Sequence, residues 1–529
     1  MTRRFRLSGL IALIALACAA TGSPAATLRW AGTSDAGSLD PHSLAEAIQL
    51  AILGNVYDGL VRRTVDLQPA PGLATSWRTV TPTTWRFELR REARFADGTP
   101  FDADDVVFSF NRALGPTSGV RGLITMVAGV DKVDAHTVDF RLHAPDLTFP
   151  LAIPNVMILS KRWAEANGAV EASNPARRIE NHATRNANGT GPFRIVERQQ
   201  DQRTTFEPNP NWWGKPEHGI TRAEFRPIAS SATRIAALLS KEVDLIFPVP
   251  PQAAPRIAGT PGFKLIETPE TRTIFLAFDH ASEELKHADV KGRNPLRDPR
   301  VRRAFLLAID VDALIRAALR GKGTPAGLLI GPQIAGHDAA ADRRPSPDPA
   351  AGKALMAEAG YPDGFALTLD CPNDRFVNDE QVCTALAPML ARIGVRVNVN
   401  AMPRSIYFRK LADRDSSFFL LGWAPGTLDA HHTLRFIVRS RDPARGLGSW
   451  NYGGFADPAI DDLIDRIAVE QDPAARDAMI RRIWARMADS APFVPLYHQT
   501  VSWAHRDGIT VGQRADDYFE LALVRMSPR

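Results

Sequence analysis

Leu67 to Phe110 contains two dense stretches: LQPAPGLATSW (67–77), and then TWRFELRREARFADGTPFDADDVVFSF (84–110). Trp85, Phe87 and Leu89 alternate with Arg86, Glu88 and Arg90, the two-residue period of a half-buried strand. Asp97-Gly98 supplies a turn. Asp102 stands where a helix cap belongs, and Asp105 adds negative charge to the first turn, where the helix dipole favours it. Phe101 and Val106 have the spacing of a hydrophobic staple. Val106 and Phe110 share one helix face. This is a strand–turn–helix unit, and most of its residues are scaffold.

Working outward, residues 1–26 read as a secretory signal. Arg3, Arg4 and Arg6 precede an apolar run from Leu7 to Ala20 that is too short to span a bilayer. Ser23-Pro24-Ala25-Ala26 is small enough for cleavage near Ala26. Cys18 raises lipidation, but Ala15 stands where a lipobox carries a large aliphatic residue, so cleavage is preferred. Nothing later is apolar enough to cross a membrane. Loss of the three arginines takes the formal charge from +5 to +2. Bases and acids are interleaved, with no basic, aromatic-laced run of the kind that binds nucleic acid. Roughly 500 mature residues suffice for two or three domains with large cores. Cys371 and Cys383 remain after cleavage. In an oxidising compartment they can close a short loop; the alternative is two buried thiols.

Strands and helices alternate along the chain, so the class is α/β. Thr27 to Gly32 reads as the first mature strand. Asn188-Gly-Thr-Gly-Pro-Phe-Arg-Ile-Val-Glu opens a second segment, with Phe193, Ile195 and Phe206 as strand residues, and Asn209-Pro-Asn-Trp-Trp-Gly214 makes a turn with two anchoring indoles. In Asp298-Pro-Arg-Val-Arg-Arg-Ala-Phe-Leu-Leu-Ala-Ile-Asp310, Val301, Phe305, Ala308 and Ile309 share a helical face. Asp310 caps the next helix, Val311 to Leu319, and Gly321 closes it. Leu386, Met389, Leu390 and Ile393 form another stripe that stops at Gly394, and Val395, Val397 and Val399 alternate as a strand. The Ala- and Pro-rich stretch near 335–351 reads as a surface loop.

Taken together, these stretches resemble the family 5 extracytoplasmic solute-binding proteins of ABC importers, the dipeptide, oligopeptide and nickel receptors. The likeness runs from about Leu28 to past Leu496. It implies a two-lobed periplasmic-binding-protein fold of type II, cluster C-like, with a domain inserted in the first lobe. On this chain, lobe one would be 27–66, 190–268 and 503–529, the inserted domain 67–189, and lobe two 269–502. The implied function is capture of a small peptide or peptide-like solute between the lobes and delivery to a permease and its ATPase subunits, by a periplasmic monomer that does not itself span the membrane. Neither a cofactor nor a resident metal is implied.

The resemblance also directs attention to two segments. Pro372-Asn373-Asp374-Arg375 is similar to a loop in dipeptide receptors whose arginine pairs with the ligand's C-terminal carboxylate; Arg375 matches it. A guanidinium suits that task because its planar fork makes two parallel bonds to a carboxylate. The bland alternative is an ion pair with Asp374 or Asp379. The second segment is Leu421-Gly-Trp-Ala-Pro-Gly-Thr-Leu-Asp-Ala-His-His432. Relatives carry an ammonium-binding aspartate three residues after the tryptophan, where this chain has Gly426. Either Asp429 or another acid takes over, or the ligand lacks the amine. Trp423 would stack on the ligand or pack the lobe. Asp429-Ala-His431 resembles the spacing in nickel receptors, which makes a metal-chelate receptor the runner-up, with His431 as the contact residue. Nucleophile elbows, HExxH, CxxC and phosphate-loop motifs do not occur in the sequence. A hydrolase, the distant alternative, would need a nucleophile–base pair in the cleft.

Overall fold

A computed structural model describes residues 27–526 apart from 216–218 and 444. The expected signal, its cleavage site and Cys18 lie outside the described residues. An eleven-stranded sheet runs through the molecule. Its centre is a pair of long antiparallel strands, Phe263–Phe278 and Phe493–Arg506. On one side of the pair lie Phe418–Trp423, Phe365–Pro372 and Val395–Met402; on the other lie Leu245–Ile246, Thr27–Gly32, Arg222–Pro227, Arg203–Pro208 and Phe193–Gln199; the eleventh strand, Gly323–Pro325, pairs with Phe493–Arg506. The two long strands therefore belong to both halves and cross between them.

The crossing has a local cause. The register slips between Pro269 and Thr273. Proline has no N–H for the ladder, so pairing breaks where Pro269 stands. The N–H of Thr271 turns instead to the carbonyl of Ala515, at 2.9 Å, in the C-terminal segment. Beyond the slip the strand is buried on both faces. Ile274, Leu276 and Phe278 point into one core with Phe305, Leu369 and Leu386. Phe275 and Ala277 point into another with Tyr407, Leu421 and Trp484. A strand covered on both sides reads as a continuous apolar run, which is how Thr-Ile-Phe-Leu-Ala-Phe appears. In the other half, Trp30 meets Phe206, Phe225 and Phe519 at 5.3–5.4 Å.

The opening stretch forms its own layer. Ala74–Thr81, Thr84–Leu89, Thr137–Leu142 and Val127–Asp134 make a four-stranded sheet against the helix Ala103–Leu114. Asp102 caps that helix through the N–H of Asp104, and Asp105 reaches back to the N–H of Asp102. Phe87, Phe110, Phe140 and Phe149 are fully buried together. Each such side chain contributes about 1.5–3 kcal/mol by leaving water.

Asp298 and Asp310 both cap helices. Two local readings gain detail. Arg320, at φ 54, takes the left-handed turn before Gly321. The 335–351 stretch is anchored: the carbonyl of Gly336 accepts from Trp484 Nε1, and half-buried Asp342 accepts from the N–H groups of Gly327 and Leu328. A composition of alanine and proline said nothing about one aspartate that two backbone donors and two imidazoles converge on.

Candidate ligand-binding cleft

Arg375 lies on a loop between the strand Phe365–Pro372 and the helix Asp379–Ala391. The loop is tied at several points. Asp379 Oδ2 accepts from the N–H groups of Arg375 and Phe376, at 2.9 and 3.0 Å. Gln499 Oε1, on the second crossing strand, accepts from the N–H of Val377 at 3.1 Å. Asp374 accepts from the N–H of Arg404 at 2.7 Å. Cys371 and Cys383 are bonded across it, with Cα atoms 6.7 Å apart. Asp374 and Asp379 thus serve backbone donors, and neither takes the Arg375 charge. Among the described residues the Arg375 guanidinium has no hydrogen bond or ion pair; it lies over the Phe376 ring at 5.2 Å. Burial, reinforced by the neighbouring Arg272, pulls it down to about 10.

Phe376 joins this loop to the second segment. A Cβ at Gly422 would lie 2.6 Å from the Phe376 ring, so the absence of a side chain at 422 lets the two segments touch. Trp423 follows at the strand end, in register with Thr273 just beyond the crossing. Its ring lies 5.4 Å from His432, 5.4 Å from Trp450 and 6.1 Å from Phe436. Trp423 Nε1 is buried with no hydrogen-bond partner among the described residues. Trp450 continues the aromatic series outward and is 36 % exposed.

Asp429 has other work. It caps the short helix Ala430–Thr433 through the N–H of His431, and both its oxygens bond Arg476, at 2.9 and 2.7 Å. Its carboxylate is engaged and is not free to receive an ammonium. His431 is buried, and burial lowers its pKa. No group of three metal-ligating side chains occurs among the described residues. His432 is pushed down to about 3 by burial and by His431, so its imidazole is neutral.

At position 426 the structure supplies a residue that sequence reasoning missed. Arg63, from the opposite half, donates to the carbonyl of Gly426. It also bonds the carbonyl of Leu151 at 3.3 Å and pairs with Asp516 at 3.5 Å, and its side chain is 6 % exposed. Arg63 therefore joins both halves beside Gly426. Glu270, at the crossing, was also missed: it is buried and bonded by Arg272 and Gln499. Asp517 accepts from Trp503 Nε1 at 2.7 Å and is pushed up to about 7 by burial and by Glu270. No motif spacing signals these residues: Arg63 reaches Gly426 across 363 positions and Glu270 reaches Gln499 across 229.

Thr273 Oγ1, His498 Nδ1, His498 Nε2 and Asp342 Oδ2 form a hydrogen-bonded series with 2.9 Å steps. It has the order of a nucleophile, base and acid, but Thr273 is fully buried within its strand. The series fastens the 326–343 stretch to both crossing strands. Open hollows of about 550 Å³, against Phe263 and Lys322, and about 330 Å³, against Lys286 and Arg414, are lined by other residues.

The arrangement is a preformed wall with an unpaired cation, an indole donor and aromatic surface, beside the strands that join two halves. Proteins of known function share this frame. The glutathione-binding protein GsiB of Escherichia coli strain K12 is 26% identical over 524 residues, covering 96% of each chain. The binding protein AgaA of A. tumefaciens, solved with agropinic acid, has a TM-score of 0.78 at 23% identity, covering 95% of this chain and 99% of its own. DppA of Helicobacter pylori, solved with the peptide STSA, has a TM-score of 0.79 at 22% identity, covering 95% and 98%. The family model described as bacterial extracellular solute-binding proteins, family 5 middle, matches residues 68–444. With most of its length inside that model, the chain belongs to the family 5 bacterial extracellular solute-binding proteins.

Proposed function

We propose that the chain is the periplasmic receptor of an ABC importer, exported by its N-terminal signal, and that it captures a small peptide or peptide-like solute between its lobes. Closure about the two crossing strands would present a joined surface to the permease, whose ATPase subunits supply the energy. One observation carries the reading: Arg375, whose guanidinium makes no ion pair among the described residues, is held by a tied loop against the strand that ends in Trp423. An unpaired guanidinium in a partly dry site is an unsatisfied demand for an anion. A ligand carboxylate meets it. Catalysis has no place in this reading, since capture and release leave the solute unchanged.

Isothermal titration calorimetry with short peptides tests it. Wild-type protein should bind with about one-to-one stoichiometry, and Arg375→Ala should weaken binding by about 2–5 kcal/mol, the usual loss when a buried charge loses its partner. Normal affinity in that variant would remove the carboxylate assignment. Turnover of a bound peptide would sink the receptor reading altogether.

A further inference from the structure

A short hairpin bridges the two halves. Its strands, Val61–Arg63 and Pro69–Pro71, are rooted in one half, where Leu60, Val61 and Leu73 are buried with Phe87 and Phe110. Pro69 and Pro71 stiffen the second strand by fixing φ. The tip is closed by the N–H of Thr64 on the Gln68 carbonyl, at 2.9 Å, and by the N–H of Leu67 on the Thr64 carbonyl, at 3.0 Å. Leu67 stands at φ 62, a left-handed conformation that a bulky apolar residue rarely adopts. It is 3 % exposed and belongs to the buried cluster of the opposite half, with Leu328, Trp423 and Leu428. Burial there offsets a strain that a solvated tip would not hold. Arg63 bridges at the same place. The Leu151 carbonyl and Asp516 hold it from the hairpin's own side, and the Gly426 carbonyl takes it from the other. The N–H of Gly426 donates to His432 Nδ1 at 3.4 Å, and the Trp423 ring lies against that imidazole, so the carbonyl that Arg63 reaches is set by the aromatic series of the wall. From the hairpin's side, the charge of Asp146 also bears on His431 and Arg435.

We propose that Arg63 and Leu67 are positioning residues that hold the two halves closed, and so set how long a solute is retained, while touching no solute themselves. Opening about the crossing strands pulls Leu67 into water and takes the Gly426 carbonyl from the guanidinium. Both losses fall on the step that releases solute. Neither falls on its first encounter, which occurs with the halves apart. The consequence for retention rests on the receptor reading above; the contact between the halves does not.

Distances between two spin labels test the proposal. Val196 and Val469 are exposed on opposite halves, so Val196→Cys with Val469→Cys supplies the labelling sites; Cys371 and Cys383 are buried and bonded to each other. The purified mature protein is measured alone and with an equimolar mixture of di- and tripeptides. With no other change it should show a closed population in at least one condition. Under that condition Leu67→Ala and Arg63→Ala should each lower the ratio of closed to open protein about tenfold. Leu67→Met, which keeps an apolar tip, should restore most of it. In Arg63→Ala, Asp516 keeps Arg514, so no acid is orphaned and the variant should fold. An unchanged ratio in either alanine variant, or a protein open in both conditions before either is made, overturns the proposal. If equilibrium dialysis retains no member of the peptide mixture, the receptor reading falls, and the solute-free measurement still decides whether the hairpin holds the halves together.

Discussion

Replacing Asp429 separates a ligand-binding acid from a structural one. Its side chain is 6 % exposed, and that of its partner Arg476 is 12 % exposed. The pair makes two short bonds, and Asp429 also caps the following helix. In Asp429→Ala the Arg476 guanidinium is left buried without a counter-charge, a change worth about 3–5 kcal/mol. The lost cap alone is worth about 1 kcal/mol, and the two are not additive because one carboxylate supplies both. We therefore expect the unfolding transition that includes this half to lose about 3–5 kcal/mol in urea, read by tryptophan fluorescence. Arg476→Met in the Asp429→Ala background should recover much of the loss, because it removes the orphaned charge. Peptide affinity of the folded protein, by calorimetry, should remain within about threefold, since no solute contact is removed. The reasoning fails if Asp429→Ala is within about 1 kcal/mol of wild type while solute binding disappears. That pattern would make Asp429 a ligand-binding acid after all.

Gly422→Ala places a methyl group 2.6 Å from Phe376 and Ile274. Overpacking should cost about 1–3 kcal/mol and shift the Arg375 loop, so calorimetry should show weaker solute binding; full affinity would mean that Phe376 does not position Arg375. Alkylation without reductant, followed by intact-mass analysis, should leave Cys371 and Cys383 of exported protein unlabelled, and two labels on folded protein would refute the bridge. Over its sequence separation of 12 the bond should add roughly 2–3 kcal/mol in the loop-closure model. Asp517 has its pKa raised to about 7, by burial first and by Glu270 second. A native group that binds its proton more tightly than the unfolded chain stabilises the fold at low pH. That contribution is complete below about 4 and is lost as pH rises through about 7. Asp517→Asn should flatten the decline in stability between pH 5 and 8 in urea titrations, and an unchanged slope would assign the decline to other groups.

Much of this protein was legible in the sequence because the signals are local. Alternation in Trp85, Phe87 and Leu89, the caps at Asp102, Asp298 and Asp310, and the stripe ending at Gly394 each act within a turn or a strand. Local geometry follows from neighbours three or four residues apart, so the α/β class and the order of its parts could be read in advance. The loop carrying Arg375 was singled out by the family resemblance, not by local geometry. What each charged group does was not legible. Asp429 is joined to Arg476, 47 residues away, and its spacing from Trp423 made it look like a ligand contact. Arg63 reaches the Gly426 carbonyl across 363 positions, and Glu270 reaches Gln499 across 229. Those partnerships exist because two long strands cross between the halves and bring distant segments to one joint. A carboxylate's role depends on whether a buried cation already satisfies it, and only the tertiary structure decides which cation is near.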